Sequence, residues 1–400
     1  MKNILYVLSG EKAQGAEIVI ERLMVYNASQ INAHLFIAPG DFSQKLLQSG
    51  KPYKITTVIE LRRLFRSGTN GFSFYFKAIA NHFKVSYKVY RYVKRERIDI
   101  VHANNILAAS YLLPVLLYSK LFMRKIVWVW SDHDMSYAAG IDHLIAKLAV
   151  GLYNSTLAVS HAVKKKYEYN KKVEVLYNGL DTALFKADSQ LRTEFQASLR
   201  LPANAVLLGV AGKITPGKGH LGLIQVFNEL TKRFPHVYLM LAGSYAEDSP
   251  AYSEKVKKAI AANPHIIHLG FLQDMVPFYN GCDIVISNSD KKMSESLGTT
   301  IYEAMAFEKI VVASNTGGTP EIITDLVDGF LFPAEQQFEL LAKLDDIISN
   351  YPVYGNVKKM ARVKVKKHFN ILKMVENYNH ILDGLSVNGF VSSTKKIPVG

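Results

Sequence analysis

The chain has 400 residues, too many for one ordinary hydrophobic core and suited to two domains. Hydrophobic residues make up 49% and charged residues 20%, which excludes a disordered polymer, and a lone cysteine, Cys282, excludes an internal disulfide and fits a reducing compartment or a chain that needs no bridge. Lysine and arginine number 48 against 34 acidic residues, a net charge of +14, so an anionic partner is expected: nucleic acid, anionic lipid or a phosphorylated substrate.

In chain order, the first apolar run, residues 4–8, is too short for a signal peptide and reads as a buried strand ending at Ser9-Gly10. Further strands are expected at 34–38, 98–102, 126–130, 155–159 and 173–177. Between the second and third lies a basic helical stripe. Lys77, Lys84, Lys88, Arg91 and Arg95 are spaced by seven, four, three and four, which keeps them on one narrow face. Phe76, Phe83, Tyr87 and Tyr90 occupy the neighbouring face; Arg62, Arg63 and Arg66 precede them, with Phe72, Phe74 and Tyr75 between. Two readings stand: a helix lying on an anionic membrane surface, or a solvated basic face over aromatics buried in the core. The apolar run 106–117 is interrupted by Pro114 and closed by Lys120. It falls short of the roughly 20 residues that cross a bilayer and reads as a buried helix.

The turn-forming Asn178-Gly179-Leu180-Asp181 separates this first set from a second, at 206–211, 237–242, 266–269, 284–287, 310–313 and 329–332. Twelve strands in one sheet would be unusual, so two sheets of about six are expected. Short apolar strands alternating with helices mean parallel sheets covered on both faces, an α/β architecture that binds ligands beyond the carboxyl ends of its strands. The domains are expected over 1–180 and 181–364. A long helical stretch, 357–385, carries Phe369, Leu372, Val375, Tyr378 and Leu382 at helical spacing, and its part from about 365 packs back on the first domain. Residues 386–400 read as a polar tail, frayed from about Ser392.

Three loops of the second half carry chemistry. After strand 206–211 comes Gly212-Lys213-Ile214-Thr215-Pro216-Gly217-Lys218-Gly219, whose glycines and lysines can bring backbone and ammonium groups onto a phosphate. It is not a Walker A loop, because His220 follows Gly219. After strand 284–287, Glu295 and Glu303 bracket Ser296-Leu297-Gly298-Thr299-Thr300. One carboxylate can grip sugar hydroxyls and the other ribose hydroxyls, while the helix start between them favours a diphosphate. After strand 310–313, Gly317-Gly318 precede Pro320-Glu321; Glu321 reads equally as a helix-start residue or a ligand, and Asp283 as a local hydrogen-bonding residue.

Together these residues resemble glycosyltransferase family 4, retaining enzymes of the GT-B architecture, in which two Rossmann-like doubly wound parallel-sheet domains face a central cleft. The matching set is Gly212-Lys213, Lys218-Gly219, Gly243, Gly270-Phe271, Asp283, Glu295-Ser296-Leu297-Gly298, Glu303-Ala304, Gly317-Gly318 and Pro320-Glu321, over about 173–332. The first half is similar to the family's acceptor domain at Gly15-Ala16-Glu17, Asp99-Ile100-Val101-His102, His133-Asp134, Ser160 and Asn178-Gly179-Leu180-Asp181.

The resemblance implies a catalytic group of Glu295, His133, Lys213 and Lys218. Glu295 would contact the donor sugar near its reacting carbon, and His133 would face the sugar from the other domain. Both lysines would neutralise the departing diphosphate, so that no metal and no other cofactor is needed. Glu303 would bind the ribose, and Phe271 would lie where the base docks. Gly212, Gly243, Ser296, Leu297, Gly298, Thr299 and Thr300 would complete the donor site, with backbone amides near the last three sharing the diphosphate. Gly15, Ala16, Glu17 and His102 would lie on the acceptor or phosphate side.

The chain departs from the family where Lys213 replaces a usual Arg, losing the bidentate fork but keeping the charge. Gln14 stands where a glycine often precedes Gly15, and Leu297 replaces a common Phe. Glu295 could act as a displacement nucleophile. The resemblance favours instead a front-face attack in which the leaving phosphate takes the acceptor's proton.

The implied function is transfer of a sugar from a UDP- or GDP-sugar to a glycan or lipid-linked saccharide. It would serve cell-surface polysaccharide synthesis in the cytoplasm, with the basic stripe Lys77, Lys84, Lys88, Arg91 and Arg95 as an anchor on the inner membrane face. The identity of the sugar rests on the pocket around Phe271, Met293 and Ser294. Alternatives are a nucleotide-sugar epimerase of the same architecture and a non-catalytic sugar- or lipid-binding protein. No motif supports a nucleic-acid binder.

Overall fold

The computed structural model describes residues 1–11, 15–51, 53–62, 72–123, 125–135, 140–168, 170–292 and 294–387. Gln14, Arg63, Arg66, Met293 and the tail from 388 lie outside the described residues, as do the side chains of Phe72, Phe74 and Tyr75. The chain forms two compact units. The first comprises Met1–Val159, Val163–Tyr177 and the chain from Ile371; the second comprises Ser160–Ala162 and Asn178–Asn370.

The first unit runs β1 (Lys2–Leu8), α1 (Gly15–Tyr26), β2 (Ile31–Ile37), α2 (Asp41–Gln48), β3 (Lys54–Thr57), α3 (Phe72–Arg95), β4 (Ile100–Ala103), α4 (Ile106–Phe122), β5 (Val127–Asp132), α5 (Gly140–Leu152), β6 (Ser155–Ala158), α6 (His161–Lys165), whose first two residues belong to the second unit, and β7 (Val173–Val175). Its seven strands are all parallel, in the order β3-β2-β1-β4-β5-β6-β7. The strand order reverses between β1 and β4, where a doubly wound sheet opens its ligand crevice. Every side chain from Ile4 to Leu8 is buried, as expected for a central strand covered by helices on both faces. β3 was not foreseen: Lys54-Ile55-Thr56-Thr57 is a half-exposed edge strand, too short and polar to stand out in the sequence.

The second unit follows with α7 (Ser189–Ser198), β8 (Val206–Ala211), α8 (His220–Arg233), β9 (Val237–Ala242), α9 (Pro250–Ala261), β10 (Ile266–Gly270), α10 (Val276–Gly281), β11 (Ile284–Ser287), α11 (Thr299–Ala306), β12 (Ile310–Asn315), α12 (Thr319–Ile322), β13 (Phe330–Pro333), α13 (Gln337–Ser349) and α14 (Gly355–His368). Its six parallel strands take the order β10-β9-β8-β11-β12-β13, the same winding, with the reversal between β8 and β11.

Residues 357–385 are not one helix. α14 stops at His368 and α15 (Ile371–Val387) begins after two intervening residues. Phe369 stacks on Tyr302 with ring centroids 5.2 Å apart, and its carbonyl accepts from the Leu180 N–H at 2.9 Å. That carbonyl is therefore taken by a distant strand-like partner and is lost to helix propagation. α15 belongs to the first unit, where Ile371, Met374, Val375, Tyr378, Ile381 and Leu382 join the core around Ile4, Ile20 and Leu35. Leu372, expected among the packing residues, is 63% exposed. α4 also differs from expectation: it runs through Pro114 to Phe122, and its buried residues reach Ser119. Leu117, Tyr118, Leu121 and Phe122 are exposed. Among the described residues no helix is long and apolar enough to cross a membrane.

Candidate active site

In the second unit the loops that leave β8, β9 and β10 are laced together by backbone. Gly212 donates to the Ala242 carbonyl at 2.9 Å and Gly243 to the Gly270 carbonyl at 2.7 Å. Gly243 has φ +157, and a Cβ there would lie 1.9 Å from the Gly212 carbonyl oxygen, so glycine is required by close approach. Gly219, at φ +65, presses on the segment after β11 in the same way; a Cβ would meet the Asn288 carbonyl at 2.3 Å. Asn288 Nδ2 donates back to the Gly219 carbonyl at 2.9 Å, and the Asp290 N–H to the Gly217 carbonyl at 2.9 Å.

This clamp brings Lys218 onto Glu295. The ammonium donates to Glu295 Oε1, and the buried Ser289 hydroxyl donates to the same oxygen at 2.7 Å. The backbone of Glu295 is fixed from the other side by the loop after β12. Gly318 donates to the Glu295 carbonyl at 2.8 Å, and a Cβ on Gly317 would lie 2.1 Å from that oxygen. Gly298, at φ +77, then starts α11, with Thr299 and Thr300 in its first turn. Glu303, one turn on, accepts from the Tyr279 hydroxyl at 2.9 Å. Tyr279 is wholly buried; desolvation, reinforced by the Glu303 charge, holds its hydroxyl protonated, well above its ordinary pKa.

The other expected donor residues fall at different depths. Lys213 is exposed on the Gly212 loop, and Phe271, after β10, is 72% exposed. Ser296 lends its carbonyl to the Ser160 hydroxyl. Leu297 is buried, so its side chain packs in the core and leaves only backbone to a ligand. Glu321 is engaged by protein: its carboxylate accepts from the His161 and Ala162 N–H groups at 2.8 Å each. Asp283, expected to bond locally, instead ties distant elements, paired with Arg192 at 2.8 Å and accepting from the Leu207 N–H at 2.9 Å.

In the first unit, the ends of β1, β4 and β5 converge at the strand-order reversal. Asn105 caps α4, accepting from the Ala108 N–H at 2.8 Å, and pairs with Ser9. Asn104 is buried between His133, at 3.1 Å, and the Ala16 carbonyl at the start of α1, also at 3.1 Å. His133 is half-buried, and desolvation pushes its pKa down to about 4 against the pull of Asp132. Gly15 is exposed and Ala16 half-buried at the same helix start.

Two expected acceptor-side residues lie buried. His102 is wholly buried, with Nδ1 2.9 Å from the Tyr378 hydroxyl and Nε2 2.7 Å from the Ser131 hydroxyl. Both ring nitrogens are consumed by the core, and burial pushes its pKa down to about 3. Glu17 is also buried, its carboxylate packed where a Cβ on Gly10 would stand, 2.2 Å away.

Sequence reasoning did not single out Ser289, Tyr279 or Asn104. Ser289 and Asn104 stand just past the ends of β11 and β4, a position that could have marked them. Nothing in the sequence pairs Tyr279 with Glu303.

On α3 three of the aromatics expected beside the stripe are outside, and Tyr90 is half-buried. Val85, Val89, Tyr92 and Val93 face the core, while Phe76, Phe83 and Tyr87 are 61%, 63% and 60% exposed. Lys77, Lys84, Lys88, Arg91 and Arg95 are all exposed beside them. This overturns the reading in which the aromatic side fills the core. Lys88 pairs with Glu60 at 2.6 Å and Arg95 with Glu96 at 2.9 Å. Among the described residues Lys77, Lys84 and Arg91 make no ion pair.

Residues 13–184 match the family model Glycosyltransferase Family 4, and residues 192–364 match Glycosyl transferases group 1. The trehalose synthase of Thermococcus litoralis is 28% identical over 190 residues, 46% of this chain. The chain spans about half the length, 45%, of that relative. The capsular polysaccharide biosynthesis glycosyltransferase CapM of Staphylococcus aureus is 24% identical over 57% of this chain and 61% of its own length. Among solved structures, Anabaena HepE in complex with UDP and glucose superposes with a TM-score of 0.80 at 22% identity, covering 96% of this chain and all of that one. The fold is therefore GT-B. With one model matched by each half, the chain belongs to the family 4, group 1 glycosyltransferases.

Proposed function

We propose that this protein transfers a glycosyl group, with retention, from a nucleotide-diphosphate sugar to a hydroxyl of a glycan or lipid-linked saccharide in cell-surface polysaccharide synthesis. One observation carries this reading: Lys218, Ser289 and Glu295 meet at the strand-order reversal of the second unit, with Glu303 braced on the helix that follows. The complex of Anabaena HepE with UDP and glucose and the capsular role of CapM support the choice of donor and pathway. The donor is a UDP- or GDP-sugar. Its diphosphate lies against Lys218, Lys213 and the amides that begin α11, where fixed positive charge and the helix dipole favour an anion.

Breaking the sugar–phosphate bond builds negative charge on the diphosphate and positive charge on the sugar. Pre-placed cations stabilise that separation without reorganising. Glu295 grips the sugar hydroxyls and Glu303 the ribose. The acceptor hydroxyl attacks from the leaving-group side; the new C–O bond forms as the old one breaks, and its proton passes to the leaving phosphate. His133 contacts a substrate hydroxyl from the first unit's loop after β5. The α3 face, where Lys77, Lys84 and Arg91 make no ion pair among the described residues and lie beside Phe76, Phe83 and Tyr87, holds the first unit on an anionic membrane surface.

The test is product analysis with UDP- and GDP-sugars and a lipid-linked saccharide acceptor. A new glycoside with the donor's anomeric configuration is expected. Epimerised nucleotide sugar formed without acceptor, or an inverted product, sinks the reading.

A further inference from the structure

We propose that Asn104 is a positioning residue that fixes the tautomer of His133, so that the imidazole meets its substrate as a neutral hydrogen-bond acceptor through Nδ1. This rests on the reading above in which His133 touches a substrate hydroxyl.

The Ala16 carbonyl can only accept, and Asn104 Nδ2 lies 3.1 Å from it, so the amide must turn its NH2 that way. Asn104 Oδ1 then faces His133 Nε2 at 3.1 Å, and an amide oxygen can only accept. The proton between them must belong to His133 Nε2. A neutral imidazole holds one proton, so Nδ1 keeps its lone pair. Asn104 cannot swing away to relax this. It is wholly buried, and its own N–H is tied to the Val7 carbonyl at 3.1 Å.

The charged and titratable neighbours agree. Asp132 adjoins His133 in sequence, but its carboxylate is occupied by Lys166 at 2.7 Å, by the Tyr167 hydroxyl and by the Asp134 N–H at 3.1 Å. His102 is buried and uncharged on the other side. Desolvation keeps the His133 ring neutral near pH 7. Among the described residues Asn104 is the one hydrogen-bond partner of the His133 ring.

An Nδ1 lone pair selects. It takes a hydroxyl proton, as a sugar presents, and repels phosphate or carboxylate oxygens. The same amide ties this choice to the start of α1, so that Gly15, Ala16 and His133 are set as one piece.

The full-length protein labelled with 15N-histidine is examined by long-range 1H–15N correlation at neutral pH, with the His133 signal assigned by its loss in His133→Gln. The expected pattern is that of the Nε2–H tautomer. Asn104→Asp retains an acceptor for Nε2–H, so it should keep the tautomer and raise the pH at which His133 protonates. Asn104→Ser should give a mixture of tautomers and, with UDP-glucose as donor probe, about tenfold lower kcat/KM, the worth of one hydrogen bond. An Nδ1–H pattern in the unsubstituted protein overturns the proposal, and that measurement needs no variant to fold. So does an unchanged tautomer in Asn104→Ser. If no nucleotide sugar is turned over, the transferase reading fails while the tautomer result still stands. If transfer occurs but every mono-deoxyfluoro analogue of UDP-glucose matches its parent, the acceptor role of His133 fails alone.

Discussion

Lys218 and Glu295 bring opposite charges together at the end of β8, and this shapes how each would respond to mutation. A diphosphate has to share an ammonium already donating to Glu295. Glu295→Ala frees that ammonium, so UDP should bind as well as before or a few-fold tighter by titration calorimetry. Glycosyl transfer should fall by about a hundredfold or more. Glu303→Ala should act oppositely, weakening UDP by roughly tenfold or more through loss of charge-assisted bonds to ribose. If the two phenotypes are exchanged, the role assignment is wrong. His102 makes a separate, acid-side prediction. Its folded pKa, about 3, lies below the ordinary 6.5, so the unfolded chain binds the proton first. The stability it confers is full above pH 6.5 and is lost as pH falls towards 3. Between pH 7 and 5 this one group should cost about 2 kcal/mol. Urea melts of His102→Asn, which carries no titrating proton, should show a shallower fall over that interval; an identical slope rules the mechanism out.

At the scale of the element, α3 shows why helical periodicity alone could not choose between two readings. The sequence places basic and aromatic residues on adjacent faces, and either face could turn inward. Val85, Val89, Tyr92 and Val93 take the core instead, and Phe76, Phe83 and Tyr87 are left outside. α4, packed beside α3, adds exposed Leu121 and Phe122 and a Tyr118 ring set edge-on against Tyr90 at 5.3 Å. Lysines near an anionic surface contribute about 1 kcal/mol each. A Lys77/Lys84/Arg91→Ala variant should therefore lose on the order of a hundredfold in partition onto phosphatidylserine vesicles at low salt. Phe83→Ser with Tyr87→Ser should weaken binding at all salt concentrations. Lys88 and Arg95, held by Glu60 and Glu96, should matter less. Equal sedimentation of the triple variant and the parent removes α3 as the anchor.

For the whole molecule, each unit has its own sheet and its own apolar core. α15 breaks chain order, since it follows the second unit in sequence and completes the core of the first. Calorimetry should resolve two transitions if the cores melt separately. UDP at a hundred times its dissociation constant should stabilise the transition of the second unit by about 2.7 kcal/mol and leave the other nearly still. Truncation before Ile371 should lower the first unit's transition, because Tyr378 and Leu382 are removed from its centre. A shift confined to the second unit's transition on truncation contradicts that placement.

The alternation of short apolar strands and helices already dictated two parallel sheets, because strands buried on both faces need β-branched runs and helical covers. Twelve strands were readable for that reason, whereas β3 was not, since Lys54-Ile55-Thr56-Thr57 has one strongly apolar residue and buries none of its four side chains fully. The glycines and charges of the Gly212, Glu295 and Gly317 loops were likewise visible, because close backbone approach admits no other residue and carries a local signature. Tertiary structure alone decided which groups meet. Ser289 on Glu295, Tyr279 on Glu303 and Asn104 on His133 join residues from separate elements. A hydrogen bond across a fold depends on where two backbones arrive, and no spacing along one chain encodes that. The same holds for His102, which lies within β4 and whose ring is bound by Tyr378, from the far end of the chain.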